Sequence, residues 1–401
     1  MYSLINFAEE LNRMNLRARY SIAMMQVSIK NFDQLRVLSS EQEIQSICGF
    51  IHELLESCNN IIDEYSIIQK GKFFYCAVNT SVSEQLEELS EQIRNKIISD
   101  NISNLFLDIR ITTVSIKDGV EIADIFYVLQ DALQYSDHYK IFKHISAPED
   151  LIEDIKHSHN LLGSLKDALK TKSARFAFQP VVNCQSGKIA YHECLLRINN
   201  DDFKLISAGK YVYLAEKYGF ILEVDKYVFD LAMEELLRSQ DVILSINISN
   251  VGVQNKPLLS HMIKSLNEHN LSKRLIIEIT ETAFNDNFEI TKYFVDSLRF
   301  LGCKIGLDDF GAGYASFGQI RLLNLDIIKI DGSFIMDIYK NEKNRLLVET
   351  LIKTAKDLNC KTVAEFVDSG PVAKKLIEME VDYMQGNFFS PALNYRSWNK
   401  E

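Results

Sequence analysis

The second half of the chain alternates short apolar runs with longer stretches that carry apolar residues on one helical face. Runs such as Val242–Ile246 and Leu275–Ile277 are nearly continuous in apolar residues, which is typical of strands buried on both faces of a parallel sheet. Repeated over about 230 residues, this alternation predicts a parallel sheet or a barrel of the βα type.

The first half has a different pattern, in which strands and helices follow each other in an α+β, ferredoxin-like order. Strands are predicted at Tyr20–Val27, Tyr65–Val78 and Phe106–Ser115, and helices at Glu41–Cys58, Ser83–Ile98 and Ile122–Ser136. The middle strand segment is expected to be a hairpin that turns at Lys70-Gly71-Lys72.

The clearest break in the pattern is Ser146–Asp150, where Ser146 or Asp150 is suited to cap a following helix. Apolar residues on one face of that helix include Leu151 and Ile155. We therefore predict a domain over residues 1–145, a linker helix over 146–160 and a second domain over 161–401.

Composition and charge argue against several classes of function and location. The 401 residues carry a formal net charge of −11, which argues against broad nucleic-acid binding, because that relies on Lys and Arg contacts to phosphate. Seven cysteines without a C-x-x-C pair indicate a reducing compartment. The chain has no signal-peptide pattern and no apolar run that is long enough for a membrane segment, so a cytoplasmic location is expected.

Candidate chemistry lies where the predicted strands of the second half end. Acids, one amide and one lysine occupy these positions: Glu193, Asn247, Glu278, Glu281, Asp308, Asp309, Lys329, Asp331 and Glu365. In a βα barrel the catalytic groups lie at this edge. So many carboxylates require cations among them, and an all-oxygen set suits Mg²⁺ or Mn²⁺.

Two neighbouring acids, Asp308 and Asp309, are suited to hold two cations, an arrangement that catalyses phosphate-ester displacement. A Gly-rich loop, Phe310–Ser316, follows them and permits close backbone approach to a ligand. Any one of these acids alone is more often a helix cap or a member of a surface ion pair. The joint pattern favours a metal site, because independent caps would not all fall on one side of consecutive strands.

These residues form an ordered set of motifs. They are Phe178-Gln179-Pro180-Val181-Val182, Glu193-Cys194-Leu195-Leu196-Arg197, Ser245-Ile246-Asn247, Glu278-Ile279-Thr280-Glu281, Asp308-Asp309-Phe310-Gly311, Lys329-Ile330-Asp331, Ala364-Glu365 and Gln385-Gly386. The set resembles the EAL family of cyclic-di-GMP phosphodiesterases, which are bacterial second-messenger enzymes. The fold class implied is α/β, a modified TIM-type (β/α)8 barrel preceded by an α+β domain.

The resemblance implies roles for individual residues. Metal ligands would be Glu193, Asn247, Glu278, Asp308, Asp309 and Glu365, which together would hold two Mg²⁺ or Mn²⁺ ions. The catalytic residues would be Lys329, Glu365 and Glu193, with either Lys329 or Glu365 as the general base. Substrate would be positioned by Gln179, Arg197, Asp331 and Gln385, and Glu281 would anchor the Phe310–Ser316 loop. The product implied is linear pGpG.

Three positions depart from the family pattern. Cys194 replaces the signature alanine and is expected to face away from the metals. Ile198 stands where a tryptophan is frequent, which would change base stacking. Phe366 replaces a glycine, and we expect its ring to pack in the barrel wall rather than over the site, because an aromatic ring buries a large apolar area.

The first domain resembles a GGDEF diguanylate cyclase domain without its chemistry. Gln69–Phe73 stands in place of the signature hairpin, and Ser28–Lys30 in place of metal-binding acids, so we predict a degenerate, regulatory module. A PAS-like sensor is the alternative. For the whole chain, a cyclic-di-GMP receptor and another metal-dependent barrel enzyme compete with the phosphodiesterase. A homodimer and a protein partner of the N-terminal domain are also expected.

Overall fold

The computed structural model describes residues 22–62, 67–99, 106–116, 120–121, 124–129, 142–199, 205–207, 209, 211–283, 287–311 and 317–398. The chain divides into two compact units, Met1–His157 and Ser158–Glu401. No helix among these residues combines the length and apolar character needed to cross a bilayer.

The first unit is built on a five-stranded sheet. Its strands and helices are β1 (Ile22–Ile29), α1 (Phe32–Leu38), α2 (Glu41–Ser57), β2 (Ile68–Lys70), β3 (Phe73–Val78), α3 (Ser83–Ser99), β4 (Ile109–Ile116) and β5 (Phe142–Ile145). The strand order is β2-β3-β1-β4-β5. β1 lies antiparallel to β3 and β4, and β5 is parallel to β4.

Local sequence accounts for most of these elements. The side chain of Ser40 accepts a hydrogen bond from the backbone NH of Glu43, and the Glu43 side chain accepts one in return, which is a capping box at the start of α2. Gly71 has φ of +58° in the turn between β2 and β3, as the predicted hairpin requires. Residues 124–129 are helical, and the rest of the predicted Ile122–Ser136 helix lies outside the described residues.

The second unit begins within helix α4 (Pro148–Lys170) and contains a closed barrel. Its strands are β6 (Arg175–Asn183), β7 (Ile189–Asn199), β8 (Leu205–Ser207), β9 (Leu244–Asn247), β10 (Leu275–Thr280), β11 (Lys304–Phe310), β12 (Ile327–Ile330), β13 (Lys361–Ala364) and β14 (Tyr383–Met384). Its helices are α5 (Val212–Lys217), α6 (Ile221–Arg238), α7 (Asn250–Val253), α8 (Lys256–His269), α9 (Phe288–Leu301), α10 (Phe317–Ile320), α11 (Gly332–Met336), α12 (Glu342–Asp357) and α13 (Gly370–Glu378).

Eight of these strands close the barrel in the order β6-β14-β13-β12-β11-β10-β9-β7, and β7 pairs back with β6. β6 is antiparallel to both neighbours, and the remaining neighbours are parallel. β8 extends β7 beyond the ring. The α/β fold class predicted from the sequence is confirmed, and the reversed first strand is what modifies the (β/α)8 pattern.

The inside of the barrel is filled by a small apolar cluster of Val181, Tyr191, Ile276, Ile327 and Val363. Four of these residues stand two positions before Glu193, Glu278, Lys329 and Glu365 in the chain. Because side chains in a strand alternate between its faces, each of those four polar residues shares the inward face with the apolar residue before it. The packed interior therefore supports a polar layer above it.

Candidate active site and metal centre

The polar layer is organised around the ammonium group of Lys329, which is 1% exposed. Its Nζ atom lies 2.8 Å from Glu365 Oε1, 3.0 Å from Glu278 Oε2, 3.0 Å from Asp308 Oδ1 and 3.4 Å from Glu193 Oε2. A buried charge of this kind needs charged partners to offset its desolvation. The four carboxylates come from four strands or strand ends, as the sequence pattern predicts.

A chain of amide groups orients the Glu193 carboxylate. The Nδ2 atom of Asn247 donates to Glu193 Oε1 at 2.8 Å, and the Nε2 atom of Gln385 donates to Glu193 Oε2 at 2.5 Å. The same Gln385 nitrogen lies 3.1 Å from Gln179 Oε1. These contacts fix one carboxylate in place and connect it with the two predicted substrate-binding glutamines.

A β-bulge directs the two neighbouring aspartates. β11 and β12 are in register at Leu307 opposite Ile328 and again at Phe310 opposite Ile330. Asp308 and Asp309 therefore stand together opposite a single residue, Lys329. Asp309 adopts a left-handed conformation with φ of +53°, which Asp tolerates better than most residues. The bulge brings both carboxylates towards one mouth, where a regular strand would alternate their directions.

Burial and mutual repulsion shift the protonation of the cluster. Burial raises the pKa of Glu278 and of Glu365 to about 8, although Lys329 acts in the opposite direction. Burial also opposes ionisation of Glu193, but Lys329, Gln385 and Asn247 outweigh it and lower that pKa. Burial and the neighbouring Asp308 raise the pKa of Asp309. Lys329 alone therefore does not balance the negative charge that the carboxylates would carry if all were ionised.

The donor set fits a hard divalent cation. The ligand-capable oxygens of Glu193, Glu278 and Asp308 lie within 4.8 Å of one another, and so do those of Asp308, Asp309 and Glu365. Glu278 is fully buried, and its Oε1 atom has no hydrogen-bond partner in the described part of the chain. Buried polar atoms are normally satisfied, so an unpartnered carboxylate oxygen in an all-oxygen cluster points to a metal such as Mg²⁺ or Mn²⁺.

A cavity of about 460 Å³ opens beside this cluster. Its lining residues come from several strand ends and from the loops that follow them: Gln179, Glu193, Leu195, Arg197, Met336, Glu365, Phe366, Asp368, Gln385, Gly386, Asn387 and Ala392. This size is within the range of small-molecule sites. The half-buried Arg197 gives the cavity a cation that is suited to a phosphate group.

Comparison with known proteins assigns the second unit. A family model described as EAL domain matches residues 162–392, which is more than half of the chain. The chain belongs to the EAL domain family. The family resemblance inferred from the sequence is thereby confirmed for this part of the chain.

Several curated relatives of this chain are named cyclic di-GMP phosphodiesterases. A protein of Borreliella burgdorferi named cyclic di-GMP phosphodiesterase PdeA is 26% identical over 388 residues, which cover 94% of this chain and 57% of the relative. Escherichia coli cyclic di-GMP phosphodiesterase PdeF is 27% identical over 59% of this chain and 32% of its own length. The EAL chain therefore spans little more than half of the first of these relatives and about a third of the second.

Solved structures similar to the EAL chain include complexes with the cyclic dinucleotide. The structure titled PaMucR Phosphodiesterase, c-di-GMP complex, has a TM-score of 0.54 and 27% identity, covering 58% of this chain and 97% of that one. Vibrio cholerae LapD, titled S helix-GGDEF-EAL, has a TM-score of 0.58 over 95% of this chain and 92% of that one at 18% identity. The second likeness concerns the fold alone.

Two predicted site residues, Asp331 and Glu281, are not paired with Lys329, do not belong to the two groups of potential metal ligands and do not line the cavity. Asp331 caps α11, where its Oδ1 atom accepts a hydrogen bond from the backbone NH of Ser333 at 2.9 Å. Glu281 is buried, and its Oε1 atom lacks a partner among the described residues. The loop that Glu281 was predicted to anchor, residues 312–316, lies outside the described residues.

Several local expectations need correction. Glu193 lies in the middle of β7 rather than at its end, because this strand continues to Asn199 and pairs with β8. Ile198 is fully buried in the outer core and so does not face the cavity. The wall-packing prediction for Phe366 is wrong, since the residue is 63% exposed and lines the cavity. Cys194 is buried in the outer core, away from the acids, as predicted.

Sequence reasoning missed other residues of the site. Tyr191 is buried beneath the acids, and burial together with the Glu278 charge raises its pKa well above the usual range. Its position two residues before Glu193 is the signal that predicts the inward face. Met336 and Asn387 line the cavity from segments after β12 and β14, and no short-range pattern distinguishes them.

Proposed function

We propose that the protein hydrolyses cyclic-di-GMP to linear pGpG in its EAL domain, with Mg²⁺ or Mn²⁺ bound. The observation that carries the proposal is the complete set of carboxylates around Lys329 beside a cavity of about 460 Å³. The similarity to relatives named cyclic di-GMP phosphodiesterases supports the choice of substrate.

Two groups of side chains would hold the cations. Glu193, Glu278 and Asp308, with the nearby Asn247, would form one ligand set, and Asp308, Asp309 and Glu365 the other. When bound, such ions lower the pKa of coordinated water and neutralise charge on a phosphodiester.

Lys329 and Glu365 have distinct protonation tendencies. Burial lowers the pKa of Lys329, but the surrounding carboxylates, with Asp308 first, outweigh it and hold that pKa well above its usual range. The Nζ atom therefore keeps its proton and is suited to stabilise developing negative charge. Glu365, whose Oε1 atom lies 2.8 Å from this Nζ atom, is the candidate to accept the proton of the attacking water.

The reaction breaks one phosphodiester bond of the ring. The water oxygen bonds to phosphorus, the 3′-oxygen leaves and takes up a proton, and the ring opens to a linear dinucleotide with a 5′-phosphate. Arg197 would contact a phosphate oxygen, and Gln179 and Gln385 would orient the substrate next to Glu193, consistent with their positions on the cavity wall.

We also propose that the first unit is a non-catalytic, GGDEF-like regulatory module. Ser28, Ile29 and Lys30 stand where a GGDEF cyclase domain would carry metal-binding acids. Ser28 is buried, and its hydroxyl donates to the carbonyl of Arg110. The boundaries predicted from the sequence, a homodimer, a protein partner of this unit and a cytoplasmic location stay predictions.

The test is incubation of the purified protein with cyclic-di-GMP and either metal, followed by separation of the products. Formation of pGpG is expected, and Ca²⁺ should inhibit because its looser coordination disturbs a close two-ion site. Glu193→Ala and Asp308→Ala should each abolish turnover, whereas Glu342→Gln, a change at an exposed acid on α12, should not. Binding without turnover in both metals would favour the receptor function instead.

A further inference from the structure

Phe366 is an exposed aromatic residue next to the acidic cluster. It directly follows Glu365, it is 63% exposed, and it lines the cavity together with Arg197 and Gln385. Its φ of +54° lies in the left-handed region, which bulky residues rarely occupy. Strained residues of this kind concentrate at functional sites.

The ring of Phe366 rests on Gly332, the first residue of α11. A Cβ atom added at Gly332 would lie 2.3 Å from Cδ2, 2.6 Å from Cγ and 2.8 Å from Cβ of Phe366. Gly332 itself has no left-handed φ. The close approach of the ring is therefore the reason that a glycine is needed at this position, and Gly332 sets where the ring can lie.

The wall around the ring combines apolar and polar groups. Leu195 and Met336 are the larger apolar neighbours on the cavity wall, while Arg197 and Asp368 bring charge. Phe366 is the one aromatic side chain among the lining residues that the structure describes. A flat apolar face beside phosphate-binding chemistry is suited to a nucleobase, because a base has an aromatic face of its own.

We propose that Phe366, supported by Gly332, is the stacking surface for a guanine base of bound cyclic-di-GMP. The inference rests on the proposed function, since it assigns a part of the same ligand. Stacking of a base on an aromatic side chain contributes about 1–3 kcal/mol, which corresponds to roughly 5- to 150-fold in affinity. Phe366 would thus add to the affinity for the substrate, alongside the contacts proposed for Arg197, Gln179 and Gln385.

The first experiment measures the Kd for cyclic-di-GMP by calorimetry with Ca²⁺ in place of Mg²⁺, and KM and kcat with Mg²⁺. Phe366→Ala should raise Kd and KM by about 5- to 150-fold and change kcat less. Phe366→Trp keeps an aromatic face and should bind close to the wild type. Phe388→Ala is the matched control, because Phe388 is 46% exposed, packs at 5.0 Å on Phe389 and does not line the cavity.

A double-mutant cycle tests the support from Gly332. Gly332→Ala should displace the ring and weaken binding about as much as removal of the ring does. In a Phe366→Gly background, the three atoms closest to the added methyl group are gone, so Gly332→Ala should have little further effect. Additive losses would show that Gly332 acts independently of the ring.

The outcomes separate this inference from the proposed function. A wild-type protein that neither binds nor hydrolyses cyclic-di-GMP overturns both. A wild-type protein that hydrolyses it, with Phe366→Ala equal to the wild type in Kd and KM, overturns the stacking role alone. A loss of kcat at unchanged Kd in Phe366→Ala would likewise reject stacking, since it would show that the ring acts on the reacting groups.

Discussion

At the scale of single residues, Lys329 is the cation around which four carboxylates of the site are arranged. Lys329→Met would leave four carboxylates without their shared cation. Removal of one partner from a buried ion cluster typically costs about 3–5 kcal/mol. We expect a loss of that order in denaturant unfolding with a chelator present, and a smaller loss with saturating Mn²⁺, which supplies replacement charge.

The control for Lys329→Met is Lys361→Met on the neighbouring strand. Lys361 pairs with Asp382, but its side chain is 60% exposed. An exposed pair contributes at most about 1 kcal/mol, and metal should not alter this effect. If both substitutions cost the same, or if Mn²⁺ leaves the Lys329→Met loss unchanged, the carboxylates do not depend on Lys329 for charge balance.

Protonation of the acids predicts a pH dependence of metal binding. Glu278 and Glu365 have a pKa of about 8 in the metal-free protein, mainly through burial. A metal binds the ionised form, so the apparent Mn²⁺ affinity should rise as the pH increases through 8, with release of protons. Calorimetry in buffers of different ionisation enthalpy measures both quantities. Glu365→Gln should reduce the slope, and a slope that stays unchanged would contradict the assignment.

The same shifts predict the sign of the stability change without metal. A raised carboxyl pKa means that the folded state keeps a proton that the unfolded state has lost. The contribution of Glu278 and Glu365 to the free energy of unfolding should therefore fall as the pH rises from about 4.5 to about 8. Saturating Mn²⁺ should remove this decline. Chemical denaturation at several pH values, with and without metal, provides the comparison.

At the scale of elements, α6 positions the turn that follows Asn247. Asp225 on α6 is buried, and its carboxylate accepts hydrogen bonds from the backbone NH and the hydroxyl of Ser249. Asp225→Ala should cost about 1–3 kcal/mol of stability, because it leaves the half-buried backbone NH and hydroxyl of Ser249 without this acceptor. It should also lower kcat, since this turn directly follows Asn247, whose side-chain amide donates a hydrogen bond to Glu193.

The matched control on the same helix is Asp230→Ala. Asp230 is 45% exposed and pairs with His261, so its removal should cost less than about 1 kcal/mol and leave kcat unchanged. Comparison of unfolding free energy and kcat for the two variants is the measurement. A kcat that is unchanged in Asp225→Ala would show that Asn247 is held in place by other contacts.

Elements also show how far the sequence alone is informative. The barrel strands and the inward position of Glu278 and Lys329 follow from local alternation of side chains. The bulge at Asp308 and Asp309 does not, because it depends on the register with β12, which is set by non-local packing. The exposure of Phe366 depends in the same way on its distant neighbour Gly332.

Two short elements of the first unit, α1 and β5, were missed for a related reason. Helix α1 has seven residues and exposes Val37 and Leu38 at its end, so it lacks the amphipathic signal of a longer helix. Strand β5 has four half-buried residues and is stabilised by pairing with β4. Elements that depend on a distant partner give little local pattern.

At the scale of the whole molecule, the two units differ in their capacity to hold metal. In the described ranges, the clusters of three or more potential metal ligands all lie in the second unit. If the first unit is GGDEF-like, as proposed, its hairpin turn at Lys70, Gly71 and Lys72 lacks the acids that cyclase chemistry needs. Incubation of the full protein with GTP and Mg²⁺ should therefore produce no cyclic-di-GMP, as measured by chromatography. Any synthesis above a no-enzyme control would contradict the proposal.

Each unit also has a hydrophobic core of its own, which predicts that the EAL domain can act without the first unit. Ile152 of α4 belongs to an apolar cluster of the first unit, whereas Leu161 and Leu165 of the same helix belong to the core of the second. A fragment that starts at Ser158 keeps the second core complete. A domain of this size buries enough apolar surface to fold alone.

We therefore expect the Ser158–Glu401 fragment to unfold cooperatively and to hydrolyse cyclic-di-GMP with the same metal requirement as the full chain. If the first unit regulates the barrel, kcat or KM of the fragment should differ from that of the full protein, while the losses caused by Glu193→Ala and Asp308→Ala should be the same in both. Equal kinetics would reject regulation by the first unit under the assay conditions. A folded fragment that binds metal but has no activity would show that the first unit is required for catalysis.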